Sequence, residues 1–284
     1  MTKKKIAQFF GFMLVRVCLY LVVAALLVFL YDIGRKGAGV ISWGFLSQFP
    51  RRGMTEGGIF PAIFGTFLVT VVTALLAIPL GIATAIYLNE YAKQTRLTRI
   101  IRLCVRNLSG VPSIVYGLFG VILFDNILKF VTSVLSAGLT LGLLTLPWTI
   151  TASEEALKTI PDSYREGSLA LGATKWQSIR TNVLPYALPG MLTGTILGLA
   201  RAAGETAPIM FTGAAFSSPL LPRSLRDQFM ALPYHLYIMA TQHHDIAKVR
   251  PLAYGTALVL VAFVLVLNST GVIIRYRLRR KRKM

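Results

Sequence analysis

The chain has 284 residues, of which 55% are hydrophobic and only 14% are charged. A soluble domain of this length would carry about a quarter charged residues, so the composition excludes an ordinary soluble protein and indicates an integral membrane protein. The formal net charge of +19 is compatible with nucleic acid binding, but the placement of the basic residues along the chain argues against that function.

Apolar runs long enough to cross a bilayer predict an all-α membrane protein with six transmembrane helices. The first run is too long for a signal-peptide core, so we expect it to be retained. With an exported loop it would form a peripheral unit at residues 1–59, followed by a five-helix core at 60–274 and a basic tail at 275–284. The six predicted spans are residues 12–31, 60–87, 108–125, 130–151, 186–213 and 252–274.

Lysine and arginine concentrate in four clusters that six spans place on one side of the membrane. The positive-inside rule then puts both termini in the cytoplasm and explains the excess charge without nucleic acid. The basic tail also suits contact with anionic membrane lipid. The clusters are Lys3, Lys4 and Lys5; Lys93, Arg96, Arg99, Arg102 and Arg106; Lys158, Arg165, Lys175 and Arg180; and Arg275, Arg277, Arg279, Arg280, Lys281, Arg282 and Lys283.

The third span opens with the segment Ser109–Gly120, which reads SGVPSIVYGLFG. Pro112 would start or kink the helix, because proline lacks a backbone N–H and clashes with the preceding turn. The glycines of the segment would let a neighbouring helix approach closely.

A polar segment from Glu154 to Pro185 separates the fourth and fifth spans. We expect Asp162 to cap a short helix that runs from about Ser163 to Leu171. Gly172 would end that helix in a left-handed conformation. Thr174 would cap a second helix that runs towards Pro185.

The first of these loop helices carries a candidate contact surface. Tyr164, Ser168 and Leu171 fall on one stripe at helical spacing. Gly167 and Ser168 are small, so another backbone could come close, and Glu166 adds one charge. The alternative interpretation is an ordinary amphipathic loop helix.

The fifth span carries Gly190, Gly194 and Gly198 at strict four-residue spacing. Small residues at this spacing form a groove along one helix face. The stripe predicts tight helix packing, either within the bundle or against a partner subunit.

Two opposite charges, Arg201 and Glu205, also lie in the predicted fifth span, four residues apart and therefore on one helix face. Each costs roughly 2.5–3.5 kcal/mol within a membrane. One interpretation is a salt bridge that only stabilises the bundle. The other is that Arg201 helps an anion to cross, because guanidinium donates two parallel hydrogen bonds to an oxyanion. Glu205 would then hold Arg201 when substrate is absent, and Thr206 would add a hydroxyl donor.

Other chemistry-bearing residues give weak signals. No G-x-x-x-x-G-K-[ST] string occurs, so we expect no ATP binding through such a loop, and no Ser/His/Asp arrangement indicates catalysis. Cys18 and Cys104 are predicted too far apart for a disulfide.

The predicted outer loop at residues 213–251 holds all three histidines. A metal site there is disfavoured, because the spacing matches no helical two-histidine ligand pattern. Contact with an external protein is the favoured role. The metal-site candidates are His243, His244 and Asp245, with His235 nearby, and the contact surface would include Arg223, Arg226, Asp227 and His243.

Three of these segments together resemble the permeases of type I ABC importers. Residues 152–185 are similar to their cytoplasmic coupling loop, the EAA loop, while the strings at 109–120 and at 201–208 (RAAGETAP) resemble permeases of phosphate importers. The resemblance covers most of residues 60–274. It departs at Gly167 and Ser168, where alanines are usual, at Asn182, where an apolar residue is usual, and at Thr151, about where some related permeases place arginine.

The resemblance implies a multi-pass permease subunit of a phosphate importer in the bacterial inner membrane, with no cofactor and no enzymatic activity of its own. Arg201, Glu205 and Thr206 would line the substrate path. The implied partners are a sister permease, two copies of a cytoplasmic ATPase and an external phosphate-binding protein. The residues implied in ATPase coupling are Tyr164, Glu166, Gly167, Ser168, Leu171 and Gly172.

Two alternatives stay open from the residues alone. One is a permease of the same architecture for another oxyanion, such as sulfate, molybdate or phosphonate. The other is a self-contained secondary transporter or membrane enzyme, which the long Gly-punctuated loop and the lack of a visible inverted repeat disfavour.

Overall fold

The computed structural model describes residues 3–215 and 220–280. Within these ranges five helices are long and apolar enough to cross a membrane, and a bent pair of helices supplies a sixth crossing if it is counted as one span. The prediction of an all-α membrane protein with six spans is confirmed on that count. The five are Gln8–Ala38, Phe60–Tyr91, Val134–Lys158, Lys175–Ala202 and Ile246–Leu278.

The first and last helices are longer than predicted. Helix α1 covers Lys3–Ala38 instead of 12–31, and its most apolar stretch is not buried by the rest of the chain. Near its end Gly37 packs against the backbone of Tyr254 in the last helix, α12, where a Cβ atom would not fit. Helix α12 covers Ile246–Arg280 and so takes in most of the predicted basic tail, whose residues 281–284 lie outside the described residues.

The core pairs the second span with the fourth. Helix α3, Phe60–Ile86, continues through a π-helical turn at Tyr87–Tyr91, and helix α6 covers Val134–Lys158. Their backbones approach closely, because Gly138 and Gly142 of α6 face Val72 and Leu76 of α3 with no room for a Cβ atom. Close packing through small residues is the usual way in which membrane helices associate.

The third span is two helices and not one. Helix α4, Arg96–Leu108, and helix α5, Ser113–Gly120, which a π-helical turn extends to Ile127, are bent by 101°. The predicted span at 108–125 therefore left out nearly all of α4 and ran across the bend. Pro112 directly precedes α5. Of the two predicted roles, to start or to kink the helix, it therefore has the first.

The fifth span is also interrupted. A helical path begins in the polar loop with α8, Lys175–Ser178, continues through a π-helical turn at Ile179–Val183, and enters α9, Leu184–Ala202. After a break, α10 covers Ala207–Thr212. The predicted continuous span at 186–213 was wrong at both ends.

The end of the bundle opposite to the basic loops, here called the outer end, is built from short elements. They are α2, Trp43–Ser47, an antiparallel pair of strands, β1 Pro50–Arg51 and β2 Glu56–Gly57, and α11, Leu232–Thr241. Phe45, Ile59, Met230 and Leu232 form an apolar cluster there. The cluster fixes the segment before α11 onto the start of α3.

The other end, here called the basic end, is where the chain around residues 88–108 meets the chain around 154–183. Beneath its surface an apolar layer joins α3, α6 and the path from α8 to α9. The layer consists of Ala85, Ile86, Ala156, Leu157, Ile179, Val183, Ala187 and Met191. Because hydrocarbon cores pack densely, these helix ends are held together as one unit. The assignment of this end to the cytoplasm stays a prediction.

Candidate functional site

The loop between the fourth and fifth spans is shorter than the sequence indicates. Helix α6 continues through Ser153 and Glu154, both buried, to Lys158, so the predicted loop residues 152–158 are helical. The remaining loop consists of a turn, helix α7 at Ser163–Ala170, a second turn, and α8.

Helix α7 ends as the sequence predicts. Gly172 has φ of +83°, the left-handed conformation that favours glycine. Its N–H donates to the Leu169 carbonyl at 3.0 Å, and the N–H of Ala173 donates to the Ser168 carbonyl at 3.1 Å. This pair of bonds is a Schellman motif, which satisfies carbonyls that the helix end leaves free.

The expected cap at the start of α7 is absent. Asp162 precedes the helix, but its side chain makes no capping hydrogen bond, and its backbone is helical. The carboxylate instead accepts a hydrogen bond from Arg165 Nη1 at 3.2 Å. The competing arginine explains why the prediction for Asp162 was wrong.

Helix α8 is capped as predicted. The Thr174 hydroxyl accepts from the N–H of Gln177 at 3.3 Å, and the Gln177 side chain accepts from the N–H of Thr174 at 2.7 Å. This reciprocal arrangement is a capping box. The Ser168 hydroxyl of α7 donates to Ser178 Oγ at 2.5 Å. Ser168 is therefore buried between the two loop helices and does not belong to their exposed surface.

The exposed side of the loop keeps most of the other predicted contact residues. Glu166 is exposed, and the space around Gly167 is open. Leu171 is 91% exposed, but it follows α7, so it does not complete a helical stripe with Tyr164 and Ser168. Tyr164 is partly exposed and packs edge-on against Tyr186, with ring centroids 5.0 Å apart.

A buried ion pair that the sequence analysis missed anchors this loop. Arg165 of α7 donates from Nη2 to Glu90 Oε1 at 2.7 Å and from Nε to Glu90 Oε2 at 3.1 Å. The Arg165 and Glu90 side chains are only 18% and 5% exposed. The hydrogen bonds to the Glu90 carboxylate raise the pKa of Arg165 above its usual value. Removing one partner of a buried pair costs about 3–5 kcal/mol, because the other charge is left unpaired.

Arg165 also reaches the end of α6. Its Nη1 donates to the Ile160 carbonyl at 2.9 Å, and its Nη2 donates to the Leu157 carbonyl at 3.2 Å. These carbonyls lie where a helix ends and leaves acceptors free. One guanidinium therefore ties together α7, the end of α6 and the end of the second span.

A second ion pair lies beside the first. Arg102 of α4 donates from Nε to Glu154 Oε1 at 2.7 Å and from Nη2 to the Leu88 carbonyl at 2.7 Å. Its Nη1 donates to Gln94 Oε1 at 2.9 Å. These bonds join α4 to the ends of the second and fourth spans. The sequence offers little signal for either pair, because the partners lie 52 and 75 residues apart.

The two charges predicted for the substrate path do not share one helix. Arg201 lies in the last turn of α9, whereas Glu205 lies in the break before α10. Their nearest atoms, Arg201 Nε and Glu205 Oε1, are 3.5 Å apart. The Arg201 side chain is 54% exposed, and its guanidinium lies over the Trp148 ring at 5.0 Å from the centroid. Thr206 precedes α10, and its side chain does not cap that helix.

The break is made by the chain turning to pack α10 against α5. The N–H groups of Ala203, Gly204 and Glu205 bond to carbonyls three or four residues earlier, which closes the helix. Pro208 then occupies the first turn of α10, where the missing N–H costs nothing. Gly117 of α5 lies against Ala207 and Pro208. Because the residues on both sides of the break are mainly apolar, the sequence predicted one continuous span here.

The glycine stripe packs inside the bundle. A Cβ atom at Gly190 would lie 2.9 Å from Ala156 Cβ, and one at Gly194 would overlap Ala152 Cβ. Gly198 faces Thr145, which, like Ala152 and Ala156, belongs to α6. The stripe was predicted to pack either within the bundle or against a partner subunit, and in the structure it packs within the bundle, against α6.

The outer histidines are spread over different environments. His235 is buried in α11, while His243 is buried and its Nε2 lies 2.6 Å from the Gly53 carbonyl. His243 Nδ1 accepts from the N–H of Asp245 at 3.1 Å, so Nε2 carries the proton and donates. Among the described residues no group of three or more His, Cys, Asp and Glu side chains could hold a metal ion. His243 is not part of an exposed contact surface.

Comparison with known proteins identifies the family. The family model described as "Binding-protein-dependent transport system inner membrane component" matches residues 77–284. The chain belongs to this family. A phosphate transport system permease protein, PstA 1 of Mycobacterium tuberculosis, is 37% identical to this permease over 228 residues, which are 80% of the chain and 73% of the relative.

Two further relatives are similar to the permease over most of their length. A probable ABC transporter permease protein of Bacillus subtilis, YqgI, is 32% identical over 260 residues, covering 87% of the chain and 88% of the relative. The phosphate transport system permease protein PstA of Haemophilus influenzae is 30% identical over 239 residues, covering 84% and 83%.

Solved structures support the same fold. A bacterial ABC transporter involved in import of the acidic polysaccharide alginate aligns with a TM-score of 0.68 at 15% identity, over 97% of the permease and 99% of that chain. The MetNI methionine ABC transporter, in an inward-facing conformation, aligns with a TM-score of 0.58 at 20% identity, over 78% and 94%. The predicted type I ABC importer architecture is confirmed.

The family settles what kind of subunit this is. The permease is a multi-pass protein of the bacterial inner membrane and a transport subunit, and ATP is hydrolysed by a separate ATPase. Importer permeases of this family work with that ATPase and with an external binding protein. This membership does not favour the alternative of a self-contained transporter or membrane enzyme.

Proposed function

We propose that the chain is a permease subunit that conducts inorganic phosphate through an ATP-driven importer. The observation that carries this proposal is its similarity to phosphate permeases from Mycobacterium tuberculosis and Haemophilus influenzae over four fifths or more of the chain. The position of Arg201 supports it, because a permanently charged and half-exposed guanidinium stands in the last turn of α9, at the end of a candidate membrane span. Such residues usually face a cavity or a substrate path.

Arg201 binds the passing anion in this account. Guanidinium offers parallel N–H donors that match two phosphate oxygens. The Trp148 ring supports its flat face, which leaves the N–H edge free to turn from Glu205 to substrate. Glu205 holds Arg201 between transport cycles, and Thr206 supplies a hydroxyl donor at the same break.

The coupling loop is the contact with the ATPase. Its exposed Glu166, the open space at Gly167 and the projecting Leu171 form the docking surface, with Tyr164 at its margin. Gly172 fixes the turn that presents them, and Ser168 acts from inside by holding α7 on α8. A sister permease completes the importer, which carries two ATPase copies.

The outer end receives the phosphate-binding protein. Arg223 and Arg226 are exposed on a turn that Asp227 stabilises, since Asp227 Oδ2 accepts the N–H groups of Arg223 at 2.8 Å and of Ser224 at 2.9 Å. A groove of about 550 Å³ lies beside this turn. Residues 216–219 of the same predicted outer loop lie outside the described residues.

Substitution of Arg201 tests the proposal. We expect Arg201→Gln to abolish phosphate uptake while the chain still assembles with its ATPase, because glutamine keeps hydrogen-bonding capacity but removes the charge. Uptake of labelled phosphate and co-purification of the ATPase would both be measured. Arg180→Gln is the matched control, since Arg180 is exposed in the π-helical turn after α8 and should tolerate the change. Normal uptake by Arg201→Gln would contradict the proposal, and the ion pair between Arg201 and Glu205 would then only stabilise the bundle.

A further inference from the structure

The contacts that hold α7 in place are few and specific. Of its eight residues, within the described chain, Ser168 is the one that is buried, and it bonds to Ser178 of α8. Two further side chains anchor it: Arg165 reaches across to Glu90 at the end of the second span, and Tyr164 packs against Tyr186 of α9. A short helix with so little buried surface depends on such contacts for its position.

We propose that the Arg165–Glu90 ion pair is the rigid linkage that carries a movement of α7 to the ends of the second and fourth spans, so that Arg165 is a positioning residue for energy coupling. This rests on the proposed function of the loop as the ATPase contact. Arg165 directly precedes Glu166, so a force on the exposed surface acts on the residue beside the ion pair.

The geometry of Arg165 makes the linkage stiff. Its guanidinium donates to the Glu90 carboxylate and to the Leu157 and Ile160 carbonyls, so acceptors from the second span and from the end of the fourth span fix its plane. The apolar layer directly below includes Ile86 and Leu157, which hold these two spans together. A shift of α7 therefore moves the ends of the second and fourth spans with it, because, among the described residues, no flexible segment lies between Arg165 and these ends.

The second ion pair extends the same unit to α4. Arg102 bonds to Glu154 of α6 and to the Leu88 carbonyl, one helical turn or less from Glu90. The elbow between α4 and α5 is thereby tied to the span ends that Arg165 holds. The sequence separation of these partners makes the unit a product of the fold and not of any local motif.

Lysine cannot replace arginine in this arrangement. A single ammonium group has three donors at one point, whereas the linkage needs separate donors directed to a carboxylate and to two carbonyls. Arg165→Lys should thus keep the charge but lose the linkage. Glu90→Gln keeps the size and one acceptor but leaves the buried guanidinium unpaired.

The test uses the complete complex of permease, sister permease and ATPase. Hydrogen exchange of residues 163–170 is measured together with basal ATP hydrolysis and with hydrolysis stimulated by the binding protein and inorganic phosphate. For Arg165→Lys and for Glu90→Gln we expect faster exchange in α7, retained ATPase subunits, retained basal hydrolysis, and a loss of stimulation of about tenfold or more. Arg180→Lys and Glu155→Gln, at exposed positions of the same end, should match the parent chain.

Unchanged exchange and unchanged stimulation in both variants would overturn the proposal. Loss of the ATPase subunits from both variants would also overturn it, because Arg165 would then form the docking surface. Glu166→Lys alters that surface and leaves the ion pair, so it should weaken binding of the ATPase, while α7 exchange compared in the absence of the ATPase should match the parent chain. If the parent complex were not stimulated by phosphate, the proposed substrate would fail, whereas the exchange data would still decide whether the ion pair holds α7.

Discussion

His235 is almost fully buried in α11, although an ordinary histidine becomes charged in mildly acidic solution. Burial, together with a smaller repulsion from His243, lowers its pKa from 6.5 to about 4. Among the described residues its Nδ1 has no hydrogen-bond partner, so no acceptor or donor offsets the cost of a proton there. The outer end is thus built around a neutral imidazole.

This environment predicts acid sensitivity of the outer end. The unfolded chain binds a proton at His235 below about pH 6.5, whereas the folded chain does so only near pH 4. The free energy of unfolding is therefore highest above pH 6.5, and it falls as the pH is lowered towards 4. Between pH 7.5 and pH 5 the loss should be about 2 kcal/mol. Thermal unfolding of the purified protein at pH 7.5 and pH 5 measures it as a drop in midpoint.

The matched variants separate His235 from other titrating groups. His235→Phe should flatten the pH dependence, whereas His244→Gln, at an exposed neighbouring histidine, should leave it unchanged. An equal drop in midpoint for the parent and for His235→Phe would assign the acid sensitivity elsewhere.

At the scale of the helix, the glycine stripe of α9 sets how closely that helix approaches α6. The facing residues are themselves small, Ala152 and Ala156, so the two backbones lie near each other and no side chain can move aside. In a membrane, where apolar side chains gain little from leaving lipid, such close packing is a main source of helix association.

We therefore expect Gly194→Leu to destabilise the bundle by about 1–3 kcal/mol or more, because the added side chain collides with Ala152. The measurement is the thermal unfolding midpoint of the protein in detergent. Gly11→Leu is the control, since Gly11 lies in helix α1 with open space around it. A midpoint for Gly194→Leu equal to that of Gly11→Leu would mean that α9 and α6 do not pack through this stripe.

The helices begin and end at residues other than those predicted, because contacts between distant residues set these positions and hydropathy does not report such contacts. Helix α6 extends into a polar stretch because Arg102 pairs with its Glu154, which makes a buried carboxylate tolerable. The fifth span breaks inside an apolar stretch because α10 turns to pack on α5 through Gly117. Local turn chemistry was more reliable, since Gly172 and Thr174 act through bonds to residues within a few positions.

At the scale of the whole molecule, the six spans and the family follow from apolar runs and motif strings, which are properties of the sequence. The exposed part of the loop between the fourth and fifth spans was also predictable, because Glu166, Gly167 and Gly172 lie within one motif. The ion pairs of Arg165 and Arg102 were not, because their partners come from other spans and meet only when the helix ends assemble. Ser168 was misplaced because Ser178 of the next helix, α8, holds it. Asp162 was misplaced for a local reason, because Arg165, three residues later, takes up its carboxylate.

The proposed function assigns ATPase contact to the loop and phosphate binding to Arg201, so it depends above all on the substrate being phosphate. The most direct test is uptake of radiolabelled phosphate at limiting concentration by cells that lack this chain, with and without the chain restored. We expect uptake to return with the chain, to collapse when ATP is depleted and to survive loss of the proton gradient. Failure of the restored chain to raise phosphate uptake, with uptake of sulfate, molybdate or a phosphonate restored instead, would contradict the assignment of phosphate as the substrate.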